Sequence, residues 1–195
     1  MSFLGRILGR PGVKTDAKIV LLGSSGAGKT TLVRYLETGE PVEDNPKTSL
    51  GIDIRRFPIE IAGWTFTAID VGGQEVYQDA FWGLGVSQAN AVIYVIDGIV
   101  KPSSGILWNT ALFQFEYMLK IVDEDVPLLI LINKQDLKEQ DPLTLKRAIN
   151  LYSMGSLVGR SFVVLPSSAK YGNGVQNAME WLAGKLVELR NKGKL

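Results

Sequence analysis

The sequence predicts an α/β fold: a doubly wound, mostly parallel six-stranded sheet with one antiparallel edge strand and helices on both faces. Strand-like runs alternate with helical patterns along the chain, and short connections join them. Two of these runs, residues 91–97 and 127–132, are apolar without alternation, which is typical of parallel strands buried on both faces. A glycine-rich stretch also links the first predicted strand to the first predicted helix.

The length and composition of the chain indicate one globular domain. A chain of 195 residues can bury one substantial core and is too short for two ordinary domains. We therefore expect a domain over residues 15–195, after an N-terminal extension over residues 1–14. The formal net charge of +1 gives no indication of a nucleic-acid-binding surface. The chain contains no Cys and no His, which excludes disulfides and any metal or catalytic site built on those residues.

The N-terminal extension has the pattern of a short amphipathic helix over residues 2–10 that ends at Pro11-Gly12. Its apolar side chains fall within an arc of about 140° at helical pitch, and arginines flank that arc. The apolar residues are Phe3, Leu4, Ile7 and Leu8, and the arginines are Arg6 and Arg10. Such a face packs on the domain or lies on a membrane with its arginines toward anionic head groups; the alternative is a poorly ordered tail.

The sequence shows no recognisable targeting signal, which predicts a cytoplasmic protein. If it binds membranes, it would do so peripherally. No apolar run is long enough to span a bilayer, and the N-terminus lacks a signal-peptide cleavage pattern. Residue 2 is Ser, so N-myristoylation is not available, and the absence of Cys excludes prenylation.

The first half of the chain predicts a strand, a helix and a hairpin. The β-branched run 17–22 predicts the strand, and the helix continues from about Gly28 to Glu37. Residues 40–49 are polar and interrupted by proline, which indicates a loop. Apolar residues then alternate over residues 52–61 and 64–70, which is typical of a β-hairpin.

The second half predicts three strands that are each followed by a helix. The first of these helices follows Pro102 and is long. Its expected core contacts are Ile106, Leu107, Leu112, Phe115 and Leu119. Asp141 and Pro142 predict the N-cap and first residue of a helix that continues to about Tyr152. An amphipathic helix over about residues 174–189 closes the chain.

The stretch after the first strand has the spacing G-x-x-x-x-G-K-T, in which each fixed residue has a role in phosphate binding. Glycine lets backbone N–H groups turn inward around an anion, and the helix that begins near Gly28 adds its positive end. Lys29 is expected to reach the β- and γ-phosphates, and the Thr30 hydroxyl to ligate Mg²⁺. The alternative is a glycine-rich turn with a surface lysine. The predicted nucleotide contacts are Gly23, Ser24, Ser25, Gly26, Ala27, Gly28, Lys29, Thr30 and Thr31.

Three further polar motifs follow predicted strands, as the phosphate loop does. Asp70-x-x-Gly73 follows the hairpin, Asn133-Lys134-x-Asp136 follows residues 127–132, and Ser168-Ala169-Lys170 follows the strand at residues 161–165. Open α/β sheets bind their ligands at the carboxyl ends of their strands. The sequence therefore predicts that all four motifs form one ligand site.

These motifs resemble those of the Ras superfamily of small GTPases, over essentially the whole chain. Asp70-Val71-Gly72-Gly73-Gln74, Asn133-Lys134-Gln135-Asp136 and the amphipathic extension are similar to the Arf/Sar branch. The resemblance implies a P-loop small G domain that binds GTP or GDP with Mg²⁺, hydrolyses GTP and acts as a switch at membranes, as in vesicle trafficking. It also implies an activating protein, an exchange factor and effector proteins as partners. From the net charge, we expect no nucleic-acid partner.

The resemblance implies how a guanine base is recognised. In the family the Asp of the N-K-x-D motif accepts hydrogen bonds from guanine N1 and N2, so Asp136 would select guanine, because adenine offers no donors there. Asn133 would contact the base or brace the phosphate loop, and the Lys134 stem would stack on the ring. The Ala169 N–H would donate to guanine O6, and Lys170 would cover the other face.

The resemblance also implies the ligands of the reacting end. Thr30 and Thr48 would ligate Mg²⁺, Thr48 joining only when a γ-phosphate orders its loop, and Asp70 would hold the ion through a water. The Gly73 N–H would bond to the γ-phosphate, and Gln74 would orient the attacking water.

Catalysis would rest on Gln74, Lys29 and Gly73 together with Mg²⁺, which position the reactants and stabilise charge. No arginine is identifiable in the sequence for the transition-state charge, so we expect a slow enzyme that needs an activating protein's arginine. Ser49, beside Thr48, is the alternative metal ligand.

Three features depart from the Arf pattern. Ser25 stands where Arf proteins usually have Asp, Ile69 stands where they usually have Trp, and the interval from Thr48 to Asp70 is longer. They bear on a family mechanism in which GTP binding slides the hairpin and expels the N-terminal helix onto a membrane. A slide by an even number of residues keeps the core face inward, and the alternation of residues 52–61 permits it.

Two further alternatives stay open at this point. Phe81, Trp82 and Leu84 either contribute to an effector surface or pack beneath the sheet. The chain is either a switch or a constitutively GTP-bound structural subunit with negligible hydrolysis; Gln74 favours the switch. A P-loop small-molecule kinase is disfavoured, because the sequence offers no arginine-rich lid and such an enzyme has no use for a guanine-reading motif.

Overall fold

The computed structural model describes residues 15–43, 52–53, 59–61, 64–71, 82–87 and 89–195, with the backbone alone described at residue 15 and at the positions between 52 and 71. The predicted amphipathic helix at residues 2–10 lies outside the described residues.

Among the described residues, seven strand segments form one sheet in the order β2-β4-β1-β5-β6-β7, and β3 also pairs with β4. The segments are β1 (Thr15–Leu22), β2 (Ile52–Asp53), β3 (Ile59–Ile61), β4 (Trp64–Val71), β5 (Ala91–Asp97), β6 (Leu128–Asn133) and β7 (Phe162–Pro166). From β4 to β7 every neighbouring pair is parallel, whereas β2 and β3 are antiparallel to β4. The predicted mostly parallel sheet with an antiparallel edge is confirmed.

The antiparallel edge consists of two segments, where the sequence predicts a single strand. Ile59 pairs with Phe66 and Asp53 pairs with Asp70. Five residues separate Asp53 from Ile59, whereas three separate Phe66 from Asp70. The two segments therefore pair with β4 in registers that differ by two residues. An even difference keeps the same side chains on each face of the sheet.

Within the described ranges, four α-helices of seven or more residues accompany the strands: α1 (Lys29–Thr38), α2 (Ile106–Ile121), α3 (Leu145–Leu151) and α4 (Val175–Asn191). Residues 82–86 are also helical. Gly28 and Gly39, both left-handed, flank α1, and the Gly39 N–H closes the helix by donating to the Tyr35 carbonyl oxygen.

The prediction that Asp141 and Pro142 open the third helix is wrong. The N-cap of α3 is Thr144, whose hydroxyl accepts a hydrogen bond from the Arg147 N–H. Asp141 instead ends a short 3₁₀ turn with a left-handed backbone, and its carboxylate accepts hydrogen bonds from Lys101 and Arg147. Hydrogen bonds from Lys101 and Arg147 lower the pKa of Asp141. Its carboxylate pairs with these two side chains and does not cap a helix.

The helices cover both faces of the sheet because successive strand residues point to opposite sides. Along β1, Ile19 and Leu21 join the core beneath α1 and α4, whereas Val20 and Leu22 join the core beneath α2 and α3. The same alternation holds in β5 and β6, every residue of which is buried. This arrangement confirms the doubly wound prediction and explains why those strands read as continuous apolar runs.

Two of the predicted core contacts of α2 are wrong. Ile106 is 82% exposed and Leu107 is 66% exposed, whereas Phe115 is fully buried. Leu112 and Leu119 are partly buried and pack against the same core. The face of α2 that is turned inward carries Trp108, Ala111, Gln114, Phe115 and Met118.

Trp82 packs inside the protein. It is fully buried, and its ring meets Tyr94 edge-on with the ring centroids 6.3 Å apart and lies 6.2 Å from that of Tyr117. Leu84, two residues on, is 68% exposed. The sequence leaves open whether these residues pack beneath the sheet or form part of a surface. Trp82 packs in the core, and Leu84 lies at the surface. Phe81 lies outside the described residues.

Candidate functional site

The backbone of the phosphate loop has the geometry for which glycine is needed. Gly23, Gly26 and Gly28 have φ angles of 137°, 75° and 102°. At Gly23 an added Cβ would overlap the Val95 carbonyl oxygen, and at Gly28 it would overlap the Asn133 amide. Glycine alone combines this backbone conformation with so little space. Consecutive N–H groups in such a loop can turn inward, which is what an anion site requires.

Lys29 begins α1, and its side chain reaches back to the start of the loop. The ammonium is buried and donates hydrogen bonds to the carbonyl oxygens of Gly23 and Ser24, at 2.8 Å and 3.0 Å. Thr30 and Thr31 follow in the first turn of α1 and are partly buried. A helix N-terminus with a buried ammonium beside it is electrostatically suited to a phosphate. These residues therefore fit the triphosphate end of a nucleotide.

Asn133 joins the phosphate loop to the last predicted motif. It ends β6, and its side-chain N–H donates to the Ala27 carbonyl oxygen at 2.8 Å. Its side-chain oxygen accepts from the Ala169 N–H, also at 2.8 Å. All three residues are buried. Of the two roles predicted for Asn133, the structure shows loop bracing.

The Ala169 N–H therefore has a partner that the resemblance does not imply. The expected acceptor is guanine O6, whereas in the structure the acceptor is the side chain of Asn133. A base at this site would share the N–H with Asn133, and the contact to O6 stays a prediction.

Hydrogen bonds within the loop and to a neighbouring segment hold the loop that contains Ala169. Ser168 is buried; its hydroxyl accepts from the Tyr171 N–H at 3.3 Å, and its carbonyl oxygen accepts from the Gly172 N–H at 2.8 Å. The Lys170 ammonium lies 5.2 Å from the centre of the Tyr171 ring. The Lys170 carbonyl oxygen accepts from the Val42 N–H at 2.9 Å, which ties this loop to the segment after α1.

Asp97 belongs to the site and was not predicted. It ends β5 directly opposite Asn133, and its carboxylate forms an ion pair with the Lys134 ammonium at 2.6 Å. Lys134 itself has a left-handed backbone, with φ of 64°. The only signal in the sequence is that Asp97, like Asn133, is the polar residue that ends an apolar run.

Asp136 follows Gln135, whose backbone and side chain are both held by hydrogen bonds. The Gln135 N–H donates to the Ser167 carbonyl oxygen at 3.1 Å, and the Gln135 side chain donates to the Leu143 carbonyl oxygen at 3.1 Å. Asp136 is partly exposed. A carboxylate at this position is accessible to a ligand while its backbone is fixed.

Several predicted residues lie partly or wholly outside the described part of the chain. Thr48, Gly73 and Gln74 lie outside it, and so do Ser49 and the rest of their loops. The backbone of Asp70 is described: it pairs with Leu21 of β1, which places it near the carboxyl end of that strand. The roles of these residues stay predictions.

No group of three or more acidic side chains that could hold a metal occurs among the described residues. The predicted Mg²⁺ site does not need one, because it uses hydroxyl and phosphate oxygens. Nor does any helix within the described ranges have the length and apolar character to cross a membrane.

The parallel sheet, the phosphate loop after β1 and the N-K-x-D motif after β6 define a P-loop nucleotide-binding protein of the small-GTPase class. Residues 4–186 match the ADP-ribosylation factor (Arf) family, and the chain belongs to that family.

Individual relatives agree with this assignment. The chain is 30% identical over 189 residues to ADP-ribosylation factor-like protein 1 of Drosophila melanogaster, covering 95% of this chain and 96% of that protein. It is 30% identical over 184 residues to ADP-ribosylation factor-like protein 3 of Chlamydomonas reinhardtii, covering 93% and 97%. The solved structure of the Arl6 (BBS3) small GTPase from Trypanosoma brucei, with bound GppNp, superimposes with a TM-score of 0.74 at 24% identity. It covers 89% of this chain and 99% of that one, and at this identity it supports the fold alone.

Proposed function

We propose that this protein binds GTP and GDP with Mg²⁺, hydrolyses GTP slowly and acts as a nucleotide-dependent switch. The observation that carries the proposal is the position of Asn133, whose one side chain bonds to the phosphate loop and to the loop of Ala169. A site with this connection holds its phosphate-binding and base-binding halves at a fixed separation. Membership of the Arf family supports the same conclusion.

At the phosphate end, the loop N–H groups, the Lys29 ammonium and the N-terminus of α1 provide positive charge. Lys29 bonds to two carbonyl oxygens of its own loop. A phosphate would offer that ammonium stronger, charged acceptors. The Thr30 hydroxyl and, in the GTP state, the Thr48 hydroxyl would hold Mg²⁺, with Asp70 acting through a water. Mg²⁺ held in this way would supply positive charge that neutralises the phosphates.

At the base end, Asp136 would select guanine. A carboxylate accepts from both N1–H and N2–H of guanine, whereas adenine presents no donor at either position. We expect the purified protein to contain GDP or GTP, identified by chromatography after denaturation. In a binding titration, Asp136→Ala should weaken GDP binding by about 100-fold or more, because two charge-assisted hydrogen bonds are lost.

The matched control for that titration is Glu139→Ala, which removes an exposed carboxylate three residues further along the chain. Its GDP affinity should equal that of the parent protein. A parent protein that contained no guanine nucleotide and bound ATP as well as GDP would contradict the proposal.

For hydrolysis, Gln74 would orient the attacking water. Single-turnover GTP hydrolysis by Gln74→Leu should be at least about tenfold slower than by the parent protein, because the water loses its orienting amide. Gln140→Leu, at an exposed glutamine, is the control. Negligible hydrolysis by the parent protein and both variants, with GTP bound, would identify a constitutively GTP-bound subunit instead.

For the switch, the extension at residues 1–14 would leave the domain and bind a membrane in the GTP state, where effectors are recruited. The register difference of two residues between β2 and β3 supports a hairpin that can adopt two even registers. Sedimentation with anionic liposomes should be greater with a non-hydrolysable GTP analogue than with GDP. Replacing Leu4 and Leu8 with Glu should abolish that difference, and equal sedimentation of the parent protein in both states would contradict this part of the proposal.

A further inference from the structure

The side chain of Lys134 is fixed at both ends. At one end its backbone is left-handed, with φ of 64°, a conformation that is uncommon for residues other than glycine. At the other end its ammonium is 2.6 Å from an Asp97 carboxylate oxygen. A lysine side chain in solution samples many rotamers, and ordering it costs free energy. Here the four-carbon stem is held between two anchored points.

Asp97, which provides the second anchor, is itself rigidly held. Its other carboxylate oxygen accepts from the Ile99 N–H at 3.2 Å. The next residue, Gly98, donates its N–H to the Asn133 carbonyl oxygen at 3.1 Å, and an added Cβ at Gly98 would overlap that same oxygen. The loop after β5 therefore lies directly against the end of β6. The Asp97 side chain is only 9% exposed, so water competes weakly for its ion pair.

We propose that Asp97 is a positioning residue that slows the release of guanine nucleotide by acting through Lys134. By fixing the ammonium, it prepares the aliphatic stem of Lys134 as an apolar surface on which the base lies. The entropy of ordering that stem is then lost on folding rather than on binding. This inference rests on the proposed function, because it needs a base beside Lys134.

A second ion pair at the same edge of the sheet offers a matched comparison. Lys101 in the loop after β5 and Asp141 in the loop after β6 are 3.0 Å apart. Asp141 is 72% exposed, and its ion pair joins the same two loops without involving the N-K-x-D motif. An exposed pair of this kind contributes little to stability. It tests whether any ion pair between these loops has the effect proposed for Asp97.

The experiment measures the dissociation rate of a fluorescent N-methylanthraniloyl-GDP from the full chain, chased with excess GDP. Asp97→Asn keeps an oxygen that can accept from Ile99 and removes the charge that holds Lys134. We expect about tenfold faster dissociation from Asp97→Asn, because most affinity changes of this kind alter the dissociation rate. Asp141→Asn should dissociate at the rate of the parent protein. An unchanged rate for Asp97→Asn would overturn the inference.

A double-mutant cycle separates positioning from a general structural effect. Lys134→Met removes the ammonium and keeps an apolar stem, so it should itself speed dissociation. If Asp97 acts through Lys134, Asp97→Asn has no further effect in the Lys134→Met background. An undiminished effect in that background would mean that Asp97 acts on the fold rather than on Lys134, and the inference would be wrong.

Two further results keep the test decisive. Should Asp97→Asn fail to fold, Asp97→Glu retains the charge on a longer stem. Because that charge can still hold the ammonium, Asp97→Glu should release the nucleotide more slowly than Lys134→Met. A rate as fast as that of Lys134→Met would count against the inference. A parent protein that does not bind the fluorescent GDP would refute the proposed function itself, whereas a parent protein that binds it with an Asp97-independent rate would refute only the role of Asp97.

Discussion

Replacing Asn133 with alanine breaks both hydrogen bonds that hold the two halves of the site together. The Ala27 carbonyl oxygen and the Ala169 N–H would then be left without partners at buried positions. A buried polar group that loses its partner costs about 1–3 kcal/mol. Two such groups make Asn133→Ala about 2–6 kcal/mol less stable. This loss is large beside the roughly 5–15 kcal/mol by which typical domains are stable.

The assay is urea denaturation of the parent and variant proteins at matched nucleotide content, because bound ligand adds to apparent stability. Asn109→Ala is the control: it removes the same amide from an exposed position on α2, and its free energy of unfolding should change by less than about 0.7 kcal/mol. A loss below about 1 kcal/mol for Asn133→Ala would refute the reasoning, since it would mean that water or another group satisfies both atoms.

Three other predictions follow from the described side chains. Trp82→Ala should lower the free energy of unfolding by about 3–5 kcal/mol in urea denaturation, because the side chain is fully buried, whereas exposed Leu84→Ala should change it by less than about 0.5 kcal/mol. Thr144→Ala should cost about 1 kcal/mol in the same assay, because it removes the N-cap hydrogen bond of α3. Burial raises the pKa of Tyr94 and Tyr152, so stability should fall with pH above about 10, where the unfolded chain releases protons that the folded protein retains.

Each of these predictions has a contradicting outcome. Equal effects of the Trp82 and Leu84 substitutions would show that Trp82 is not part of the core. An unchanged free energy of unfolding in urea for the Thr144 variant would show that the Thr144 hydroxyl does not cap α3. For the tyrosines, the share of the tyrosinate absorbance that Tyr94→Phe and Tyr152→Phe remove should appear only with unfolding. Its appearance in the folded protein near pH 10 would show that these two hydroxyls are accessible.

The parts of the fold that the sequence predicts correctly depend on local patterns. The apolar runs of β5 and β6 identify buried parallel strands, because each is covered on both faces and no residue needs to be polar. The phosphate loop is equally local: its spacing fixes which residue must be glycine and where the helix begins. The polar residues that end the strands are brought together by the order of the sheet, which is a general rule of this architecture.

Other features depend on contacts between distant residues, and local patterns do not reveal them. In α2, apolar side chains occur all around the helix, so periodicity does not single out the face of Trp108 and Phe115 over that of Ile106. Asp141 is a good N-cap by type, but Lys101, forty residues away, holds its carboxylate. Local patterns likewise do not reveal that Lys134 pairs with Asp97, because Asp97 ends a different strand, β5.

One backbone hydrogen bond joins the segment after α1 to the loop of Lys170. The Val42 N–H, at the start of the stretch that leads to Thr48, is held by the carbonyl of Lys170, the residue expected to lie over the base. A displacement of Val42 would be transmitted to Lys170 through this one bond, without any change in the sheet. A partner that moved Val42 away from Lys170 would therefore act directly on the base end of the proposed site.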